Sequence, residues 1–320
     1  MSVPGTATAA GPTPGTNAPG RDRSLIRGSC WVVIRGHRTA FRWAGALFTV
    51  CAALLIVARL WAPVSTGPGL LEGATYGNFM AAGSALVRLL PVAVGAFVAG
   101  PLVARELDSG TYQLLWTQSV SPLRWFAVKL AVPTAAALAA AGVLVGVCRW
   151  SWTGRPRGNW ENGLHWFDYY GVIGPVGVAI VLPAVAIGAL AGLLVRRTLA
   201  AMVACVAAVG VVEGVLGALR GHLWPARTVI GSLRDGYLGA GSGWPLADGA
   251  ITSGGAHVTD PICVDDQQCW ADHHLTGFYN TYQPTSHFWP LQLVETGILL
   301  ALAIVVAAVA FRVLRKKVSA

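Results

Sequence analysis

The stretch GVIGPVGVAIVLPAVAIGALAGLLVRRTLAAMVACVAAVGVVEGVLGAL, residues 171–219, decides the architecture. It holds two long apolar runs, separated by Arg196 and Arg197 and interrupted by one carboxylate, Glu213. A hydrocarbon core roughly 30 Å thick needs about 20 mostly apolar residues per helix, and each run meets that length. Runs this continuous lack the alternation of barrel strands, so their backbone polar groups must pair within helices. Two adjacent transmembrane helices joined by a short basic turn follow.

Similar windows lie near 41–61, 79–104, 126–148 and 291–311, giving six spans with 171–195 and 198–219. Composition agrees: 54% of the 320 residues are hydrophobic and 12% charged, more apolar surface than a soluble core can hide. The expected fold class is an all-α integral membrane protein. No period of 20 to 50 residues recurs, which excludes repeat architectures. Residues 1–23 read as a disordered tail, because MSVPGTATAAGPTPGTNAPG is small, Pro/Gly-rich and without the apolar core of a secretory signal. Residues 24–320 form the membrane domain.

The net charge of +9 has a topological cause, and nucleic acid is not an expected partner. Arg21 to Arg42, Arg105, Arg124, Lys129, Arg196, Arg197 and Arg312 to Lys317 fall on one side of the six spans. The other side carries only Arg149, Arg155, Arg157, Arg220, Arg227 and Arg234. The positive-inside rule therefore puts both termini in the cytoplasm and makes 220–290 a large extracellular loop.

Between tail and first span, residues 24–43 interleave Trp31, Val32, Val33 and Ile34 with arginines, which suits either a basic anchor or an interfacial elbow helix. Residues 62–78 read as an outer turn. In ARELDSGTYQLLWTQSVSPLRWFAVKL, 104–130, a glycine-permitted break at Gly110 and Thr111 precedes a short amphipathic helix at about 111–118 on the cytoplasmic face. Pro175 and Pro183 predict kinks in the fourth span, and Gly188 with Gly192 would permit close helix contact.

Charges within spans are costly, and Arg59, Arg88, Glu213 and Glu295 each stand 16 or 17 residues from the nearest inner basic residue. At 1.5 Å per residue that is roughly 25 Å, so all four reach one level near the outer face. Two readings stay open: an intramembrane charge cluster in which Arg88 pairs with Glu213 or Glu295, and separate snorkelling to the interface.

Cys263 and Cys269 fall in the outer loop, where an oxidising exterior favours a disulfide. The neighbouring His257, Asp265, Asp266, Asp272, His273, His274 and His287 match no structural zinc spacing, and no metal is expected. No H-E-x-x-H or G-x-S-x-G motif occurs, so no catalytic residue is expected. A phosphate-cradling loop needs glycine before lysine, but Lys129, Lys316 and Lys317 follow Val128, Arg315 and Lys316. The chain therefore has no ATP site of this kind.

The segment Glu106-Leu-Asp-Ser-Gly-Thr111, followed by Trp116-Thr-Gln-Ser-Val-Ser-Pro-Leu-Arg124-Trp-Phe-Ala-Val-Lys129, resembles type-2 (ABC-2) ABC transporter permeases in an actinobacterial form. Trp31 with Arg35-Gly-His-Arg38, the run from Gly188 to Thr198, and Tyr282-Gln-Pro-Thr-Ser-His-Phe-Trp-Pro-Leu-Gln-Leu-Val-Glu295 are similar to the same family, so the resemblance covers about 31–320. His287 and Pro122 depart from it, each standing where arginine is usual. The resemblance implies a multi-pass permease of the bacterial cell membrane, paired with an identical or related second permease and in contact with membrane lipids. It implies docking on a cytoplasmic ATPase that binds the ATP and Mg this chain lacks. Glu106, Gly110 and Thr111 would then shape the ATPase-coupling turn, with Trp116, Arg124 and Lys129 setting the following helix. The implied cargo is an exported amphipathic compound, lipid or drug. The competing reading is a non-transporting membrane sensor that binds a ligand through the outer loop.

Overall fold

The computed structural model describes residues 70–108, 122–153, 165–195, 197–235, 241–263 and 266–319, with scattered helical positions between 45 and 60. The tail, the elbow segment, Arg59, Gly110, Thr111, Trp116 and the short helix at 111–118 lie outside the described residues. So does most of the first apolar window.

Helix α1 (Leu70–Ala93) runs through a π-helical turn (Val94–Ala99) into α2 (Gly100–Asp108). The widened turn has a local cause. Pro101 has no N–H to give to the carbonyl of Phe97 and its ring crowds that carbonyl, while the Gly100 N–H donates to Gly95 O five residues back. The turn expected over 62–78 is corrected by α1, which starts at Leu70. The helix-favouring Leu70, Leu71, Glu72 and Ala74 outweigh the scattered glycines there.

Helix α3 (Pro122–Thr153) follows, and then an irregular segment, 165–175, leads into a four-residue helix α4 (Val176–Ala179) and α5 (Val181–Val195). The fourth span thus begins at Val176 and not at 171. Pro175 caps α4, and Pro183 sits in the first turn of α5, where a missing N–H costs nothing. Helix α6 (Thr198–Leu219) completes the pair that opened the sequence reading.

Past α6 the chain forms β1 (Arg227–Ser232), β2 (Trp244–Thr252), β3 (His257–Val258), a short helix α7 (Gln267–Asp272) and β4 (Leu275–Gln283), before the last helix α8 (Phe288–Ser319). Among the described residues five helical stretches are long and apolar enough to span a membrane: Met80–Arg105, Phe126–Thr153, Val176–Val195, Thr198–His222 and Thr285–Lys317.

The region 220–290 is therefore no plain loop, and the all-α expectation needs correction outside the bundle. The four strands make one antiparallel sheet in the order β1-β4-β2-β3. The sequence LTGFYNTYQ of β4 is aromatic and β-branched, which suits a pleated surface pairing on both sides. Ala250, Cys263, Leu275 and Phe278 form a small core of their own under the sheet. Cys263 and Cys269 are joined by a disulfide, Trp270 Nε1 donates to Cys263 O at 3.1 Å, and Asp266 caps α7.

Helix α5 is the axis of the bundle: 56% of its apolar window is buried, against 17% for the last span. The closest contacts are backbone to backbone. A Cβ on Gly192 would lie 2.6 Å from Gly100 O, and one on Gly95 2.6 Å from Ala184 O; a Cβ on Gly188 would strike Gly95 O. The Gly188/Gly192 pair thus serves a contact inside the chain, with the π-turn as its partner.

Candidate functional site

At the end of the bundle that carries the sheet, the backbone of 165–175 is irregular yet largely buried, with Trp166, Tyr170, Val172 and Ile173 at most 6% exposed. Non-helical backbone at that depth must find partners within the protein. It finds them on three helices. Arg149 of α3 donates to Ile173 O at 2.9 Å. Gln292 of α8, fully buried, donates from Nε2 to Tyr170 O at 2.7 Å and accepts from Val176 N at 3.1 Å. Arg88 of α1 donates to Asp168 O at 3.2 Å.

Beneath this segment lies a cavity of about 210 Å³ lined by Val87, Arg88, Gly171, Val176, Gly177, Ile180, Glu213, Leu216, Gly217, Arg220 and Glu295. Three of the four charges singled out from sequence, Arg88, Glu213 and Glu295, meet here. The fourth, Arg59, is outside the described residues. Their pairing differs from expectation: Glu295, 1% exposed, is held by Arg220 in a two-pronged contact, Nε to Oε2 at 2.8 Å and Nη2 to Oε1 at 2.7 Å. The planar guanidinium matches the carboxylate fork, and Arg220 stands directly after the last residue of α6, where a short 3-10 turn, 220–222, begins. Arg88 is thereby not the partner of Glu295. It shares the cavity with Glu213, on which Arg88 and Arg220 are the acting positive charges.

The Arg220 guanidinium also lies 4.7 Å from the centre of the Tyr170 ring, a cation–π contact strengthened by desolvation. Burial first, and then the Glu295 carboxylate, push the Tyr170 phenol up, so it stays neutral.

The sheet is tied into this site. Trp166 donates to Ser242 O at 2.8 Å, Trp244 of β2 stacks on Phe167 and meets Trp166 edge-on, and Phe288 packs on Trp166 and Tyr170. Gln283, at the end of β4, gives both amide hydrogens, to Gly221 O at 3.0 Å and Trp224 O at 2.7 Å. Its Oε1 must then accept from His287 Nδ1, 2.7 Å away. The His287 that departs from the family pattern thus has a defined partner.

Of the other residues named from sequence, Glu106 lies in α2, Arg124 in α3, and Lys129 is buried on α3, at the opposite end of the bundle from the cavity. Lys317 of α8 donates to Leu193 O near the end of α5 at that end. Cys263, Cys269 and His273 bring three potential ligand atoms within 4.8 Å of one another, but the two sulfurs are bonded to each other and offer no thiolate. Arg149, Asp168, Arg220 and Gln292 escaped the sequence reading. Arg220 had a signal: it stands seven residues, two helical turns, after Glu213 and so on the same face of α6.

Comparison with curated proteins and with solved structures finds no match. Residues 71–220, from α1 to the arginine that closes on Glu295, match the family described as ABC-2 membrane transporter related.

Proposed function

We propose that this chain is the membrane-spanning subunit of an ATP-driven transporter, an exporter of an amphipathic compound, lipid or drug, energised by a separate cytoplasmic ATPase. The observation that carries the reading is the family match over 71–220. The sequence, which has no glycine–lysine phosphate loop, fits a transporter whose ATP and Mg are bound by a partner. Glu106, Gly110, Thr111, Trp116, Arg124 and Lys129 receive the push of that partner. A sixth span at 41–61, an elbow at 24–43, both termini in the cytoplasm of a bacterial cell and a second permease complete the proposed assembly. Excess Lys and Arg at the end opposite the sheet support this orientation.

A second reading is favoured by one observation: the region past α6 is a folded, disulfide-closed sheet, which suits an external ligand sensor anchored by the bundle. Affinity purification of the full chain separates the two. The transport reading expects a nucleotide-hydrolysing subunit to co-purify and to be lost on replacing 106–111. A chain that purifies without such a subunit, while its sheet retains a ligand, supports the sensor.

A further inference from the structure

Arg220 and Glu295 neutralise each other within the cavity wall, which among the described residues leaves Arg88 on α1 and Glu213 on α6 as the charges that face a ligand there. A purely anionic ligand at Arg88 would meet the Glu213 carboxylate, and a purely cationic one at Glu213 would meet Arg88. A ligand carrying both signs satisfies both. Apolar side chains line the same cavity beside these charges: Val87 of α1, Val176 of α4, Ile180 just after α4, and Leu216 of α6. Space is also provided, since Gly217 lines the cavity one turn from Glu213 and a Cβ there would meet nothing within 4 Å.

We propose that this cavity binds the headgroup of a zwitterionic amphiphile, its anionic group on Arg88, its ammonium on Glu213 and the start of its apolar part against Val87, Ile180 and Leu216. That the bound molecule is cargo rests on the transport reading; that it binds does not.

The test uses the full chain in nanodiscs, titrated with short-chain phosphatidylethanolamine, phosphatidylglycerol, an alkylammonium and glycerophosphoethanolamine, with native mass spectrometry as readout. Phosphatidylethanolamine is expected to bind about tenfold or more tightly than either singly charged amphiphile, the loss of one charge-assisted contact. Arg88→Gln and Glu213→Gln should each remove that preference. Because Arg88 also holds Asp168 O, Gly217→Leu is the second variant: it fills the cavity without touching a charge, and should abolish binding with an unchanged melting temperature. Equal binding of all three amphiphiles, or retention of the preference in Gly217→Leu, overturns the proposal. Binding of glycerophosphoethanolamine as tightly as the lipid overturns the amphiphile part and makes the source a soluble zwitterion. Site-dependent binding by a chain with which no nucleotide-hydrolysing subunit co-purifies refutes the transport reading alone. ATPase stimulation by another compound, with no phosphatidylethanolamine binding, refutes the proposal alone.

Discussion

The two ends of α5 are held by opposite means. Along Gly188 and Gly192 the contact is dry and made of backbone on backbone, against Gly95 and Gly100. At the sheet end the chain is irregular, and polar side chains from α1, α3 and α8 hold its carbonyls around a charged cavity. Close-packed apolar seams transmit displacement as rigid bodies. Hydrogen-bonded, cavity-bearing segments can exchange partners. The contrast predicts movement at the sheet end and rigidity at the seam.

The strongest way to break this contrast is at the seam. Gly188→Val forces a branched side chain into the Gly95 carbonyl, an overpacking without a flexible neighbour to yield, and should cost about 3 kcal/mol or more. Loss of the folded chain in size-exclusion chromatography is the expected outcome; a normal melting profile would mean the seam is loose.

Next in size is the ion pair. Arg220→Ala leaves Glu295 buried without a counter-charge and should cost about 3 kcal/mol, within the range for breaking a buried pair and discounted because Arg220 is 21% exposed. Replacing both, Arg220→Met with Glu295→Leu, should recover most of that stability. Thermal melts of the single and double variants decide whether the pair exists for stability or for the cavity.

Gln292→Leu removes two hydrogen bonds to 165–175 and should cost about 2 kcal/mol, with hydrogen exchange rising at Tyr170 and Val176 before it rises in α5. Uniform exchange would erase the distinction between the two ends. The most local effect, no larger than that of Gln292→Leu, is expected of Cys263→Ser, which opens a loop closed over a six-residue separation and should cost the sheet at most about 2 kcal/mol. The helices should melt as before.

The bundle was legible in sequence because each span must supply apolar length by itself, and 171–219 does so without reference to anything else. The level shared by Arg88, Glu213 and Glu295 was legible for a related reason: rise per residue is fixed in a helix, so depth can be counted. Which charges pair was not, because Arg220 stands past the end of the apolar run and reads as an outer-loop charge, although its side chain returns to Glu295. The sheet was hidden by its short strands and its glycines, such as Gly249 and Gly277, which read as loop although close strand and side-chain approach requires them. The irregular 165–175 segment was read in part as span, since hydropathy registers burial and not the partners of the backbone.

In the proposed transport reading, a separate ATPase acting on Glu106 to Lys129 moves the far, sheet-bearing end of this bundle. Spin labels on Leu89→Cys with Val215→Cys, and in a second sample on Phe97→Cys with Leu194→Cys, place exposed probes across the cavity end and beside the seam. In the membrane assembly containing the ATPase, adding ATP should change the first distance distribution and leave the second unchanged. No change in the first distance, or an equal change in both, would contradict the account.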